Sequence, residues 1–141
     1  MKTALDTNIF SALWQGEPSV NVVSVALREA KRQGSLVVSP PAYAESLANP
    51  VYSLEQIHAF FETTKITLDR QLMDEVWTEA GLRYGRYAVR RKQASGEPPR
   101  RILADFLIGA HALLQADCLM TLDVRYYRQY FPELRLYPIG E

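Results

Sequence analysis

Leu5-Asp6-Thr7-Asn8-Ile9-Phe10 is the point where a short apolar run from the N-terminus ends in an acid, two small polar side chains and the first residues of a helical pattern. That is a β-strand handing over to an α-helix. In a parallel α/β sheet, ligands collect outside the carboxyl ends of the strands, so an acid at this junction stands where chemistry is usually done. The alternation repeats outward from here. Lys2 to Leu5 is a first strand; helical periodicity runs from Asn8 to Trp14 and, after Gly16-Glu17-Pro18, from Ser19 to Gln33, where Gly34 ends it. Ser35-Leu36-Val37-Val38-Ser39 is a second, buried strand, and Pro40-Pro41 opens a helix that Asn49-Pro50 stops. A helix from Ser53 to Thr63, a strand from Lys65 to Leu68 and a long helix from Asp69 to Gln93 follow, closed by the loop Ser95-Gly96-Glu97-Pro98-Pro99. Apolar residues at Leu103, Phe106, Leu107, Ala110, Leu113 and Leu114 give the stretch from Ile102 to Gln115 a core-facing helical side. Cys118 to Thr121 is the fourth strand, Val124 to Tyr130 a short helix, and Leu134 to Tyr137 a last strand. Such alternation predicts an α/β fold in three layers, a parallel sheet of four to five strands with helices on both faces.

A chain of 141 residues fits one domain, spanning 1–141. Apolar residues make up 48% of it, and Lys plus Arg equals Asp plus Glu at 16 each, so net charge neither favours nor excludes a nucleic-acid partner. The lone Cys118 forms no internal disulfide and reads as a small core residue, which fits a reducing, cytoplasmic location. No stretch approaches the roughly 18 apolar residues of a membrane span, and the N-terminus lacks the apolar core of a signal peptide.

Asp6, Glu45, Asp105 and Asp123 each sit beside apolar strands or within otherwise apolar helical stretches. Each has a bland explanation: Asp6 and Asp123 as N-caps, Asp105 at the positive end of its helix, Glu45 as a solvated helix residue. Their conjunction points further. Asp6 follows the first strand and Asp123 the fourth, while Glu45 and Asp105 lie in opening turns of helices, so parallel winding brings all four toward one edge. Clustered carboxylates repel, by roughly 4 kcal/mol per pair at 4 Å and an effective dielectric near 20, and a bound cation removes that conflict. All-oxygen ligands favour Mg²⁺ or Mn²⁺ over zinc, and neither His58 nor His111 has a zinc-ligand spacing with Cys118. Such an ion activates water for attack on a phosphodiester. Thr7, Asn8 and Thr121 are short polar side chains suited to orienting the acids or a water.

With these residues in place, the chain resembles the PIN-domain nucleases, especially the small VapC-like ribonucleases of toxin and antitoxin pairs, over essentially its whole length. Asp6-Thr7-Asn8 is similar to the family's opening motif, and Glu45 in Ala42-Tyr43-Ala44-Glu45-Ser46-Leu47 to its second acid. Asp105 in Asp105-Phe106-Leu107-Ile108-Gly109-Ala110 resembles the third, Thr121-Leu122-Asp123 the final Thr-x-Asp element, and Phe131-Pro132-Glu133-Leu134 with Pro138 the closing stretch. The resemblance implies Asp6 and Asp105 as main ligands of Mg²⁺ or Mn²⁺, Glu45 and Asp123 completing the pocket, an RNA substrate, an antitoxin partner and self-pairing. His111 has no role in that pattern and reads as a core or surface histidine.

Arg83, Arg86, Arg90, Arg91, Lys92, Arg100 and Arg101 form a locally positive strip opposed only by Glu97, with Tyr84 and Tyr87 close by. It reads as a phosphate-tracking surface in which Arg90, Arg100 and Arg101 contact RNA, as a solvated helix face, or as a dock for an acidic partner. Trp14, Trp77, Phe60 and Phe61 on helices suggest a homodimer. The expectation is a metal-dependent endoribonuclease, a type II toxin; the alternative is a PIN-like module that binds RNA or protein without cutting. A receiver-like phosphoryl acceptor lacks its acidic pair and late Lys, and a haloacid-dehalogenase-type phosphatase lacks an acid at Asn8.

Overall fold

Ala4-Leu5, Leu36-Val37-Val38 and Cys118-Leu119-Met120 are buried without alternation, the pattern of strands covered on both faces. The structure, a computed structural model, describes residues 1–96 and 100–140. Its elements are β1 (Lys2–Leu5), α1 (Thr7–Gln15), α2 (Val20–Gln33), β2 (Ser35–Val38), α3 (Pro40–Leu47), α4 (Leu54–Thr64), β3 (Ile66–Leu68), α5 (Asp74–Ser95), α6 (Leu103–Gln115), β4 (Cys118–Met120) and α7 (Val124–Tyr130). The four strands form one parallel sheet in the order β3-β2-β1-β4, with Thr3 opposite both Leu36 and Cys118. The chain winds outward from β1 through β2 to β3 and then returns across the sheet to β4. Right-handed crossovers therefore put α1 to α4 on one face and α5 and α6 on the other. The winding reverses between β1 and β4, so a crevice opens beyond their carboxyl ends, where Asp6 and Thr121 follow.

Local chemistry sets the element ends. Asp6, Ser39 and Ser53 cap α1, α3 and α4 by accepting backbone N–H groups, and Gly16 closes α1 in the left-handed conformation that a glycine tolerates. Gly109 in α6 is there for space: a Cβ would lie 2.5 Å from the Phe131 ring. Among the described residues no helix is long and apolar enough to cross a membrane.

The structure departs from the sequence reading in three places. First, the long helix expected from Asp69 begins at Asp74. Asp69 instead accepts from Lys2 Nζ at 3.2 Å and pairs with His111 Nε2 at 2.8 Å, while Gln115 holds the Met73 N–H and the Gln71 carbonyl. These contacts pin the connector and place His111 in the core, fully buried. Second, Leu134 to Tyr137 pairs with β4 only through a bridge between Leu119 and Leu136, in which the Leu119 N–H donates to the Arg135 carbonyl at 3.0 Å and the Tyr137 N–H to the Leu119 carbonyl at 2.8 Å. Third, Trp14, Phe60 and Phe61 pack with Phe10, ring centroids 5.3–6.1 Å apart, and only Trp77 stands well exposed at 54%. Glu97, Pro98 and Pro99, the end of the loop expected at Ser95 to Pro99, lie outside the described residues.

Candidate active site at the β1–β4 crevice

Asp6 is the buried centre of the crevice, 8% exposed, and three elements fix its carboxylate. As N-cap of α1 it accepts the Thr7 N–H on Oδ1 at 2.8 Å. Its Oδ2 accepts the Thr121 hydroxyl from beyond β4 at 2.7 Å and the Asn8 amide at 3.3 Å. Asn8 in turn donates to Thr121 Oγ1 and accepts the Leu122 N–H on Oδ1, and Thr121 Oγ1 accepts the Asp123 N–H at 2.9 Å. Asp6, Asn8 and Thr121 are thus one network that staples the end of β1 to the end of β4, and the short side chains are what allow the two ends so close an approach.

Burial outweighs these hydrogen bonds and lifts the Asp6 carboxyl to about 6, with the neighbouring charge of Asp105 adding to the rise. Asp105, in the first turn of α6, accepts the Ile102 N–H on Oδ2 at 3.1 Å. Desolvation raises its pKa too; Asp123 adds to the rise, whereas the Ile102 N–H and the Arg101 guanidinium oppose it. The two acids therefore sense one another in a shared, partly dry space.

Asp123 occupies the N-cap position of α7 without a side-chain capping bond. Its Oδ2 instead meets Arg101 Nη1 at 2.6 Å, and the guanidinium lies 4.3 Å from the Tyr126 ring. Glu45, on α3, is joined to the site through Thr7, whose hydroxyl donates to Glu45 Oε1 at 2.7 Å. Glu45 and Thr7 also line a cavity of about 360 Å³ between α1 and α3. Hydrogen bonds thus join Asp6, Thr7, Asn8, Thr121 and the Asp123 backbone, Asp105 and Asp6 are linked through charge, and Glu45 is tied to the flank by Thr7. Among the described residues no three acids, histidines or cysteines converge as a ready-made metal cluster.

Two tyrosines that composition did not single out belong to this crevice. The Tyr127 hydroxyl is held protonated by burial and then by the charge of Asp6. The Tyr126 hydroxyl is buried without a hydrogen-bond partner among the described residues, and burial followed by the field of Asp105 keeps it protonated as well. The only sequence signal was their position just past Asp123. Tyr87 was expected to lie beside the basic strip. Its ring is buried, and its hydroxyl accepts the N–H groups of Arg100 and Arg101 at 2.8 and 2.9 Å.

The basic strip divides. Arg83 faces inward, paired with Glu133 at 2.6 Å and Glu79 at 2.7 Å, donating to the Tyr130 carbonyl and lying 4.5 Å from the Phe131 ring centroid. It joins α5 to the segment after α7 and is a structural residue. Arg86 and Arg90 are exposed and line, with Tyr130 and Pro132, a cavity of about 240 Å³. Arg100 is exposed, and Arg101 is half-buried among the acids.

The PIN domain family model matches residues 3–132. No curated protein matches the chain. Among solved structures, the chain is similar to one in the crystal structure of VapBC2 from Rickettsia felis bound to a DNA fragment from their promoter. That likeness has a TM-score of 0.66 and 16% identity over 99% of this chain and 100% of that one, and is a likeness of fold. It is also similar to a chain of VapBC-1 from nontypeable Haemophilus influenzae, with a TM-score of 0.64 and 26% identity over 96% of each.

Proposed function

Because the chain belongs to the PIN domain family, we propose that it is a Mg²⁺- or Mn²⁺-dependent endoribonuclease, the toxin of a type II toxin–antitoxin pair, working in the cytoplasm as a homodimer held inactive by a cognate antitoxin. The observation that carries the reading is the buried Asp6 carboxylate, raised to about 6 and in the field of Asp105 at the crevice between β1 and β4. A fold gains nothing from burying one acid in the field of a second; a cation offsets that cost. The two matched VapBC complexes support the antitoxin partner.

The donor set fits a hard divalent ion. Mg²⁺ is held by one or two carboxylates and keeps several waters, so Asp6 and Asp105 suffice as ligands without a closed protein cage. The orphaned Tyr126 hydroxyl, in the field of Asp105 and Asp6, matches a hydrated ligand nearby. When bound, the ion supplies an activated water and neutralises charge on the scissile phosphate. The chain's own residues do the rest. Thr121, Asn8 and the Thr7 N–H fix the Asp6 oxygens, Thr7 holds Glu45 at the flank to orient water, and Asp123 completes the acidic wall. Arg90, Arg100 and Arg101 engage the RNA backbone.

The test is incubation of purified, partner-free protein with total RNA in Mg²⁺, Mn²⁺ or chelator, beside Asp6→Asn and Asp105→Asn. Metal-dependent cleavage lost in both folded variants supports the proposal. A second reading, a PIN-like module that binds RNA or protein without cutting, draws on Asp123 and Glu45 being engaged by Arg101 and Thr7. Metal and RNA binding without cleavage under every condition would favour it.

A further inference from the structure

Arg101 stands among the acids in a way that neither helix capping nor surface solvation explains. Its backbone is anchored: the N–H groups of Arg100 and Arg101 both end on the Tyr87 hydroxyl, and the Tyr87 ring packs at 5.5 Å from Phe106 and 5.2 Å from Tyr130. The root of the side chain is therefore rigid. From it the guanidinium reaches over the Tyr126 ring to Asp123, whose side chain is 32% exposed, and its own side chain is 36% exposed, so the charged end borders solvent. The same guanidinium acts on Asp105, and Asp105 and Asp123 both act back on it. Arg101 thus supplies positive charge at the very acids whose mutual repulsion a divalent ion would relieve.

We infer that Arg101 is a built-in counter-ion that holds the cation's place at Asp123 until a divalent ion enters, and is exchanged out by it. The inference rests on the metal-dependent reading above and adds a step to it. Three features carry it. The pair is a single Nη1–Oδ2 contact at 2.6 Å, not a bidentate fork, so one hydrogen bond and a ring contact are all that must break. The pair is part-exposed, where an ion pair contributes at most about 1 kcal/mol, within reach of a divalent competitor. The fixed backbone keeps a released guanidinium beside the crevice, with its free N–H edges available to a phosphate oxygen. Arg83 offers the contrast: it is locked by two carboxylates and a carbonyl and is 11% exposed at its side chain.

The experiment uses the whole chain without RNA. Mn²⁺ binding is measured by calorimetry for the wild type, Arg101→Gln and, as control, Asp6→Asn; in parallel the Arg101 Nε–Hε signal of the wild type, identified by its loss in Arg101→Gln, is followed by NMR as Mg²⁺ is added. The expected result is Mn²⁺ binding about fivefold tighter in Arg101→Gln, the scale of a part-exposed ion pair. An Arg101 signal that moves to the position of a free arginine as Mg²⁺ saturates is the second expected result. Unchanged or weaker Mn²⁺ affinity in Arg101→Gln, or a wild-type signal that stays in place at saturating Mg²⁺, overturns the exchange while leaving the metal reading intact. No Mn²⁺ binding by wild type or Arg101→Gln overturns both. The NMR titration is of the wild type alone, and Arg101→Lys, which keeps the charge but has no Nε–Hε group, assigns the signal if Arg101→Gln folds poorly.

Discussion

Replacing Asp6 with Asn removes a buried charge while keeping the shape of the side chain, and its effect on stability has a worked sign. The folded carboxyl titrates at about 6 against an ordinary value of 3.8, because burial outweighs the bonds from Thr121 and Thr7. A group whose pKa is raised by folding contributes its stability fully below the unfolded value, and that contribution disappears as pH rises through the folded value. For Asp6 the window runs from about pH 4 to pH 6. Two units at about 1.4 kcal/mol each mean that the ionised, metal-free site costs on the order of 3 kcal/mol at pH 7 relative to pH 4. Asn carries no charge but presents an amide where Asp6 Oδ2 now accepts from Thr121 and Asn8, which gives back about 1 kcal/mol per misplaced hydrogen bond. Metal-free Asp6→Asn is therefore expected to be more stable than the wild type at pH 7.5, by about 1 to 2 kcal/mol, and less stable at pH 4. Denaturant melts of both proteins in chelator across pH 4 to 8 give the difference directly. Shifts common to the two chains, such as the lowered carboxyls of Asp69 and Glu133, cancel in it. A difference that stays flat over this range would refute the account of Asp6 as a buried charge awaiting a cation.

Other outcomes follow from the same geometry. Asp105→Asn retains an oxygen for the Ile102 N–H, so its melting temperature is expected within a few degrees of the wild type while metal-dependent RNA cleavage falls at least about a hundredfold, read on a labelled RNA. Arg83→Ala removes contacts to Glu133, Glu79, the Tyr130 carbonyl and the Phe131 ring. It is expected to destabilise by about 2 to 4 kcal/mol in urea melts, without loss of cleavage per folded molecule. Gly109→Ala drives a methyl into Phe131 and is expected to cost about 1 to 3 kcal/mol by the same measurement.

The placement of the candidate site's residues was partly legible because its two levels leave different marks. Asp6-Thr7-Asn8 shows in sequence as a polar break between an apolar run and a helical pattern, and the structure places it at the end of β1, with Asp6 as both cap and buried acid. Thr121 and Asp123 carry the same mark after β4. What escaped were interactions between residues far apart in the chain. Trp14, Phe60 and Phe61 have the composition of an exposed patch, yet α1 and α4 fold them against Phe10. Arg83 looked like a member of the basic strip until Glu133, fifty residues on, paired with it.

By itself, the sequence determined the strand and helix order, the two Asp-bearing strand ends and the residue types available at the crevice, because hydrophobic period, proline, glycine and capping residues act locally. Tertiary structure alone decided how the charges are paired. Burial raised Asp6, the return to β4 brought Thr121 and Asn8 together, and Tyr87 set Arg101 against Asp123. Electrostatic energy depends on distance and on exclusion of water, and neither exists until the chain has folded.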